Sequence, residues 1–178
     1  TTITQNYFPK DNNYLFETDE NVTEWLRKYS KDPDETYVRS FLGRMLFSGD
    51  EALKEVKVLS GGEKVRCVLS KMMLSGANFL IFDEPTAVLT PAEISELMQI
   101  MKNLIKEGKS IILITHKLDE IRAVADRITV IRRGKSIDTV ELGDKTNQEL
   151  AELMVGRSVS FITEKAPAQP KDIVLEIK

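Results

Sequence analysis

The sequence predicts an α/β fold: a mostly helical stretch over residues 1–75, then a parallel sheet layer with flanking helices. Two observations carry that class. The runs "NFLIF" and "SIILIT" are unbroken apolar stretches that end in polar or charged residues, as in strands buried on both faces of a parallel sheet. Around them lie amphipathic segments opened by Ser/Thr-x-x-Glu boxes, so strand and helix alternate.

Each element follows in order. Residues 1–8 form a short strand. Asn21 to Ser30 reads as a helix with Val22, Trp25, Leu26 and Tyr29 on one face. After the turn "KDPDE", Tyr37 to Phe47 is a second amphipathic helix carrying Val38, Phe41, Leu42, Met45 and Leu46. Ser60 to Glu63 spells a capping box, and Val65, Val68, Leu69, Met72 and Met73 recur behind it at helical spacing. "NFLIFDEP" is the first buried strand. Thr90-Pro91-Ala92-Glu93 opens a helix with a capping box and a proline at its first position, and Gly108 stops it. "SIILITH" is the second buried strand, followed by a helix through Leu118, Ile121 and Val124. "RITVIRRGKSIDTVEL" gives two strands around a turn at Gly134, and Thr146 to Glu149 caps a last helix. Lys165 to Lys171, with two prolines, reads as a linker, and "DIVLEIK" as the first strand of a further domain.

Composition narrows the class. The chain has 178 residues, 42% of them hydrophobic and 30% charged, as in ordinary globular domains. A net charge of -3 implies no general attraction to nucleic acid or anionic lipid. The single cysteine, Cys67, permits no disulfide within the chain, which fits a reducing compartment. The longest apolar runs, such as Ile111 to Ile114, are too short to span a membrane.

Several residues are candidates for chemistry. Gly61 and Gly62 remove side chains where free N–H groups and the positive end of a helix dipole point outward, a natural place for a phosphate. The alternative is a plain capped helix after a glycine turn. Asp83 and Glu84 end a buried strand, where α/β sheets place their ligands. An aspartate there can hold Mg²⁺, and the adjacent glutamate can polarise water. A solvated acidic loop is the alternative. His116, the only histidine, ends the neighbouring strand, a position within reach of the same ligand, with a satisfied structural histidine as the alternative. A phosphate-gripping G-x-x-x-x-G-K-[ST] loop is not found in these residues. Gly108-Lys109-Ser110 closes a helix and Gly134-Lys135-Ser136 lies in a hairpin turn, the wrong contexts for one.

These residues resemble the ATP-binding cassette (ABC) ATPases. "LSGGE" at 59–63 is similar to the family signature, "FLIFDEP" to its Walker B strand and His116 to its switch histidine. The resemblance implies a partial P-loop NTPase fold. A Q-loop strand and helical signature subdomain would span residues 1–75, the Walker B half of the core 76–164, and a linker with the start of a following cassette 165–178. Up to about residue 80, "NYFPKDNNYLFETDENVTEWLRKYS" and its continuation look like the second cassette of ABC-F proteins, which act on ribosomes. From "DEPTAVLTPAEI" onward the chain resembles the first cassette of sugar or nucleoside importer ATPases. A fused or recombined chain, or a fragment, is therefore expected. Lys10 stands at the Q-loop glutamine position and Thr90 at that of the D-loop aspartate.

The resemblance assigns Glu84 and His116 to catalysis and Asp83 to the metal, with ATP and Mg²⁺ as cofactors. Ser60, Gly61, Gly62, Glu63 and Lys10 would meet nucleotide, the signature covering ATP held by the Walker A loop of a second cassette, in cis or in trans. The leading reading is hydrolysis coupled to solute import beside membrane permease subunits, in the cytoplasm or peripheral at the inner membrane face. A ribosome-associated translation factor and a non-catalytic remnant are the alternatives. No direct DNA binding and no autonomous hydrolysis are expected.

Overall fold

The computed structural model describes residues 2–32 and 34–159. They form two compact units, divided between Ala125 and Asp126.

The first unit is built on a three-stranded parallel sheet, β1 (Gln5–Phe8), β2 (Phe79–Asp83) and β3 (Ser110–Ile114), in that order. Phe8 pairs with Phe82 and Asp83 with Ile114, so all three strands end at one edge. Between β1 and β2 lie three helices, α1 (Val22–Arg27), α2 (Glu35–Arg44) and α3 (Gly61–Leu74). Each has a side-chain cap: Asn21, Asp34 and Ser60 accept from the N–H of Glu24, Tyr37 and Glu63. The first two helices are shorter or shifted relative to the sequence expectation. The second ends at Arg44 because Leu46 turns to φ 63, off the helical path. After β2, α4 (Pro91–Lys106) opens on Thr90 with the expected capping box and leading proline. Gly108, at φ 84, ends it and admits β3, which is followed by α5 (Leu118–Val124).

One core joins the helices to the sheet. Trp25, Leu26, Leu42, Met45, Leu69 and Met72 are buried together with Phe8, Leu80 and Phe82 from the strands and Leu97, Met101 and Leu104 from α4. The Trp25 indole stacks on Phe16 at 5.1 Å and donates to the Leu15 carbonyl at 2.8 Å, so its polar edge is satisfied inside the core. Tyr29, expected on the buried face of the first helix, lies just past its end, is 37% exposed and sits edge-on against Trp25, with the Lys71 ammonium over its ring. Residues on both sides of position 80 contribute to this one core.

Burial of the strands differs from the expectation of two faces covered. In β2 only Leu80 and Phe82 are fully buried. In β3, Ile112 and Ile114 are 45% and 48% exposed. The reason is position: β3 is an edge strand among the described residues, and α3 and α4 pack on the sheet from the side of Leu80 and Phe82. An apolar run alone does not reveal how many neighbours a strand has.

The second unit is a hairpin and a helix. Strands β4 (Arg127–Arg132) and β5 (Lys135–Glu141) pair antiparallel. Arg133 and Gly134, at φ 51 and 73, form the two-residue turn whose twist suits a hairpin. Helix α6 (Asn147–Val155) carries the expected Thr146–Glu149 capping box and ends at Gly156, φ 82. Arg132 donates to the Leu153 carbonyl at 2.9 Å and ties the hairpin to α6. The linker and strand expected over 165–178 lie outside the described residues.

Candidate functional site

The common strand edge gathers the predicted chemistry of the sheet. Parallel pairing in register brings the residues just after β1, β2 and β3 side by side, so Lys10, Glu84 and His116 meet although far apart in sequence. The Glu84 Oε1 lies 2.8 Å from His116 Nδ1, and its Oε2 accepts from Lys10 Nζ at 3.0 Å. Lys10 foremost, and His116 after it, hold the Glu84 carboxyl below the usual glutamate range. Glu84 itself adopts φ 44, unusual for a residue with a side chain, while its N–H donates to the Ile114 carbonyl at 2.9 Å. Such a conformation persists only where the surroundings impose it.

Asp83 faces elsewhere, as neighbours on a strand should. Its Oδ2 accepts from the Tyr7 hydroxyl of β1 at 2.9 Å, a bond that raises the Tyr7 pKa. Among the described residues, no three His, Cys, Asp or Glu side chains gather into a ready metal site.

The start of α3 lies across a hollow of about 60 Å³ from this edge, with Gly61 and Lys64 on one side and Lys10, Asn12 and Glu84 on the other. Ser60 and Glu63 complete the capping box in both directions, and Glu63 also pairs with Lys54 at 2.7 Å. The structure departs from an open phosphate cradle here. The Glu93 carboxylate reaches over from the first turn of α4 and occupies the helix end. Its Oε1 accepts from Ser60 Oγ at 2.9 Å and Gly62 N–H at 3.1 Å, and its Oε2 from Thr90 N–H and Oγ1, each at 2.9 Å. The two glycines have a second reason to lack side chains. A Cβ on Gly62 would sit 2.6 Å from Glu93 atoms, and one on Gly61 would sit 3.2 Å from the Val88 carbonyl.

The structure adds residues that sequence reasoning missed. Glu93 is legible as a cap, and its reach to α3 is not. Thr86 and Glu120, both buried, and the partly exposed Lys117 form a polar cluster beside Glu84 and His116. Nothing in the local sequence separates Glu120 from any acid in a helix's first turn. The two Gly-Lys-Ser triplets sit where expected, at the α4–β3 junction and in the β4–β5 turn. No described helix is long and apolar enough to cross a membrane.

The chain is similar to known proteins. Residues 1–87 match the ABC transporter family model. The chain is 83% identical over 123 residues to the nucleoside import ATP-binding protein NupA of Lactococcus lactis subsp. cremoris (strain MG1363), covering 69% of this chain and 24% of that protein. It is 63% identical over 119 residues to the guanosine import ATP-binding protein NupO of Bacillus subtilis (strain 168), covering 67% and 23%. The chain thus spans about a quarter of the length of these curated relatives. In three dimensions it resembles the dimeric post-hydrolysis state of the ATP-binding cassette MJ0796 bound to ADP and Pi, with a TM-score of 0.62 at 17% identity over 79% of this chain and 63% of that one. That likeness concerns the fold, a mixed α/β arrangement around a parallel sheet. The family match over residues 1–87 and these relatives identify the chain as sequence of an ABC transporter ATPase domain, similar to nucleoside import ATP-binding proteins.

Proposed function

We propose that this chain supplies the signature, the Walker B strand and the switch histidine of a cassette that couples ATP hydrolysis to nucleoside or sugar import. The observation that carries the proposal is the 2.8 Å contact between Glu84 and His116 at the common edge of three parallel strands. The names of the relatives favour import over the ribosome-associated alternative.

In this reading Glu84 takes a proton from water as the water oxygen attacks the γ-phosphorus and the bond to ADP breaks. His116 fixes the direction of the Glu84 carboxylate. Lys10, in the Q-loop position, keeps that carboxylate ionised but also lowers its basicity, so proton transfer is favoured once Lys10 moves off. Asp83, oriented by Tyr7, suits a single-residue contact to a Mg²⁺ that arrives with the nucleotide and screens its phosphate charge. Ser60, Gly61, Gly62 and Glu63 form the signature end that covers the nucleotide of a second cassette. That cassette supplies a phosphate loop, in cis or in trans. Permease subunits then place the assembly at the inner face of the membrane.

The test combines this chain with a cassette segment bearing a phosphate loop and measures ATP turnover. Glu84→Gln is expected to lower turnover by roughly 10²–10⁴, the usual contribution of a general base, and to leave nucleotide binding intact. Unchanged turnover removes Glu84 from the mechanism. In the same preparation, Lys10→Gln should raise the Glu84 pKa toward the ordinary glutamate value, read by carboxyl ¹³C titration.

A further inference from the structure

We propose that Glu120 is a positioning residue that sets the Glu84–His116 contact by locking together the two loops that carry them. The importance of that contact for hydrolysis rests on the function proposed above, but the geometric claim stands by itself.

The strands β2 and β3 hold each other only as far as the Glu84 N–H bond to Ile114. Past that point both chains leave the sheet, and Glu84 and His116 need another means of alignment. Glu120, in the first turn of α5 and 4% exposed, provides it. Its Oε1 accepts from the Thr86 hydroxyl at 2.5 Å, and its Oε2 accepts from the Thr115 hydroxyl at 2.9 Å. Thr86 lies two residues after Glu84, and Thr115 directly precedes His116. One carboxylate therefore clamps both loops, one oxygen on each.

Lys117 closes the cluster. Its ammonium lies 3.2 Å from Glu120 Oε1 and donates to the Thr86 carbonyl at 3.1 Å and hydroxyl at 3.0 Å. Its backbone N–H donates to Thr115 Oγ1 at 3.1 Å. His116 is thus flanked on both sides by residues bonded into the cluster. Burying a carboxylate for stability alone is a poor exchange against apolar packing. A buried carboxylate with both oxygens hydrogen-bonded does, however, fix one geometry. It also explains how Glu84 is kept at its unusual φ with a largely exposed His116 as its partner.

His116 is the only histidine, so its ring proton and carbon signals in the full chain report the contact without ambiguity and without nucleotide. Glu84→Ala defines the ring signals of a His116 that has lost its partner. Glu120→Ala is expected to move the ring signals most of the way to those positions in a folded chain, and Glu120→Gln, which keeps one acceptor, to move them part of the way. Thr86→Val and Thr115→Val each remove one arm of the clamp at nearly constant volume. They should shift the ring in the same direction, and they decide the matter if Glu120→Ala does not fold. Ring signals that stay at the parent positions in the two valine variants, while Glu84→Ala displaces them, overturn the proposal. So do ring signals that ignore Glu84→Ala. Loss of the hydrolytic reading would appear instead as a Glu84→Gln turnover equal to the parent's.

Discussion

Glu93→Ala deletes a carboxylate that closes two helix ends at once, and the cost can be worked from its four bonds. Two of them, from Thr90 N–H and Oγ1, belong to the cap of α4 itself, and losing a cap costs about 1 kcal/mol. The other two come from Ser60 Oγ and Gly62 N–H at the start of α3. Gly62 is buried, so its N–H is left without this acceptor, at roughly 1–2 kcal/mol. The sum is roughly 2–3 kcal/mol, a large share of a domain's net stability. Urea unfolding of the full chain, followed through the fluorescence of Trp25, the single tryptophan and part of the same core, measures it. A double-substitution cycle sharpens the test. Gly62→Ala places its Cβ 2.6 Å from Glu93 atoms, so either the helix shifts or Glu93 swings out and gives up both bonds to α3. That costs about 1–3 kcal/mol in the parent. Once Glu93 is alanine, the three atoms nearest that Cβ are gone, and the same change should gain roughly 0.4–1 kcal/mol. The sign of the Gly62→Ala effect is therefore expected to reverse between backgrounds. A Glu93→Ala change below about 0.5 kcal/mol, or a Gly62→Ala effect equal in both backgrounds, would refute the bridge, since independent sites add.

Two further outcomes follow from the same structure. Glu93 and Glu149 are held below the usual glutamate range, chiefly by the backbone N–H of Thr90 and of Thr146. Burial pushes Glu63 up, but Lys54 and the Ser60 N–H together outweigh it. Carboxyls lowered on folding stabilise fully above the unfolded glutamate pKa of about 4.3 and lose that contribution as pH falls through the folded values. The urea midpoint should be level from about pH 6 to 8 and fall below about pH 4.5, and a midpoint that rises on acidification would contradict the capping assignments. Cys67, wholly buried in α3 with its thiol pKa pushed up by burial, should react with an aromatic disulfide reagent only as the chain unfolds. Fast labelling in native buffer would show that face of α3 to be open.

Legibility followed the range of the interaction. The caps at Ser60, Thr90 and Thr146 were readable because the partner glutamate lies three residues on, and the bonds form within one turn. The meeting of Glu84 and His116 was readable because parallel strands in register must end together. The exposure of Ile112 and Ile114 was not, since an apolar strand looks the same at an edge as in the centre. The second duty of Glu93 and the clamp at Glu120 were also hidden. Both depend on loops brought together from distant positions, and a carboxylate in a first helical turn already has a sufficient local reason to be there.

The pairing of β1 with β2 also bears on how the chain is made. Thr4 and Asn78, which bond at the start of this ladder, are 74 residues apart. On a ribosome, β1 emerges before α1, α2 and α3, and its partner β2 after them. Meanwhile α1, α2 and α3 can find one another through shorter loops, whose closure costs less. Phe8 meets its partner Phe82 only after residues 79–83 have left the exit tunnel. A nascent chain paused before that point carries β1 without β2 and leaves Phe8 uncovered, the kind of segment that chaperones hold.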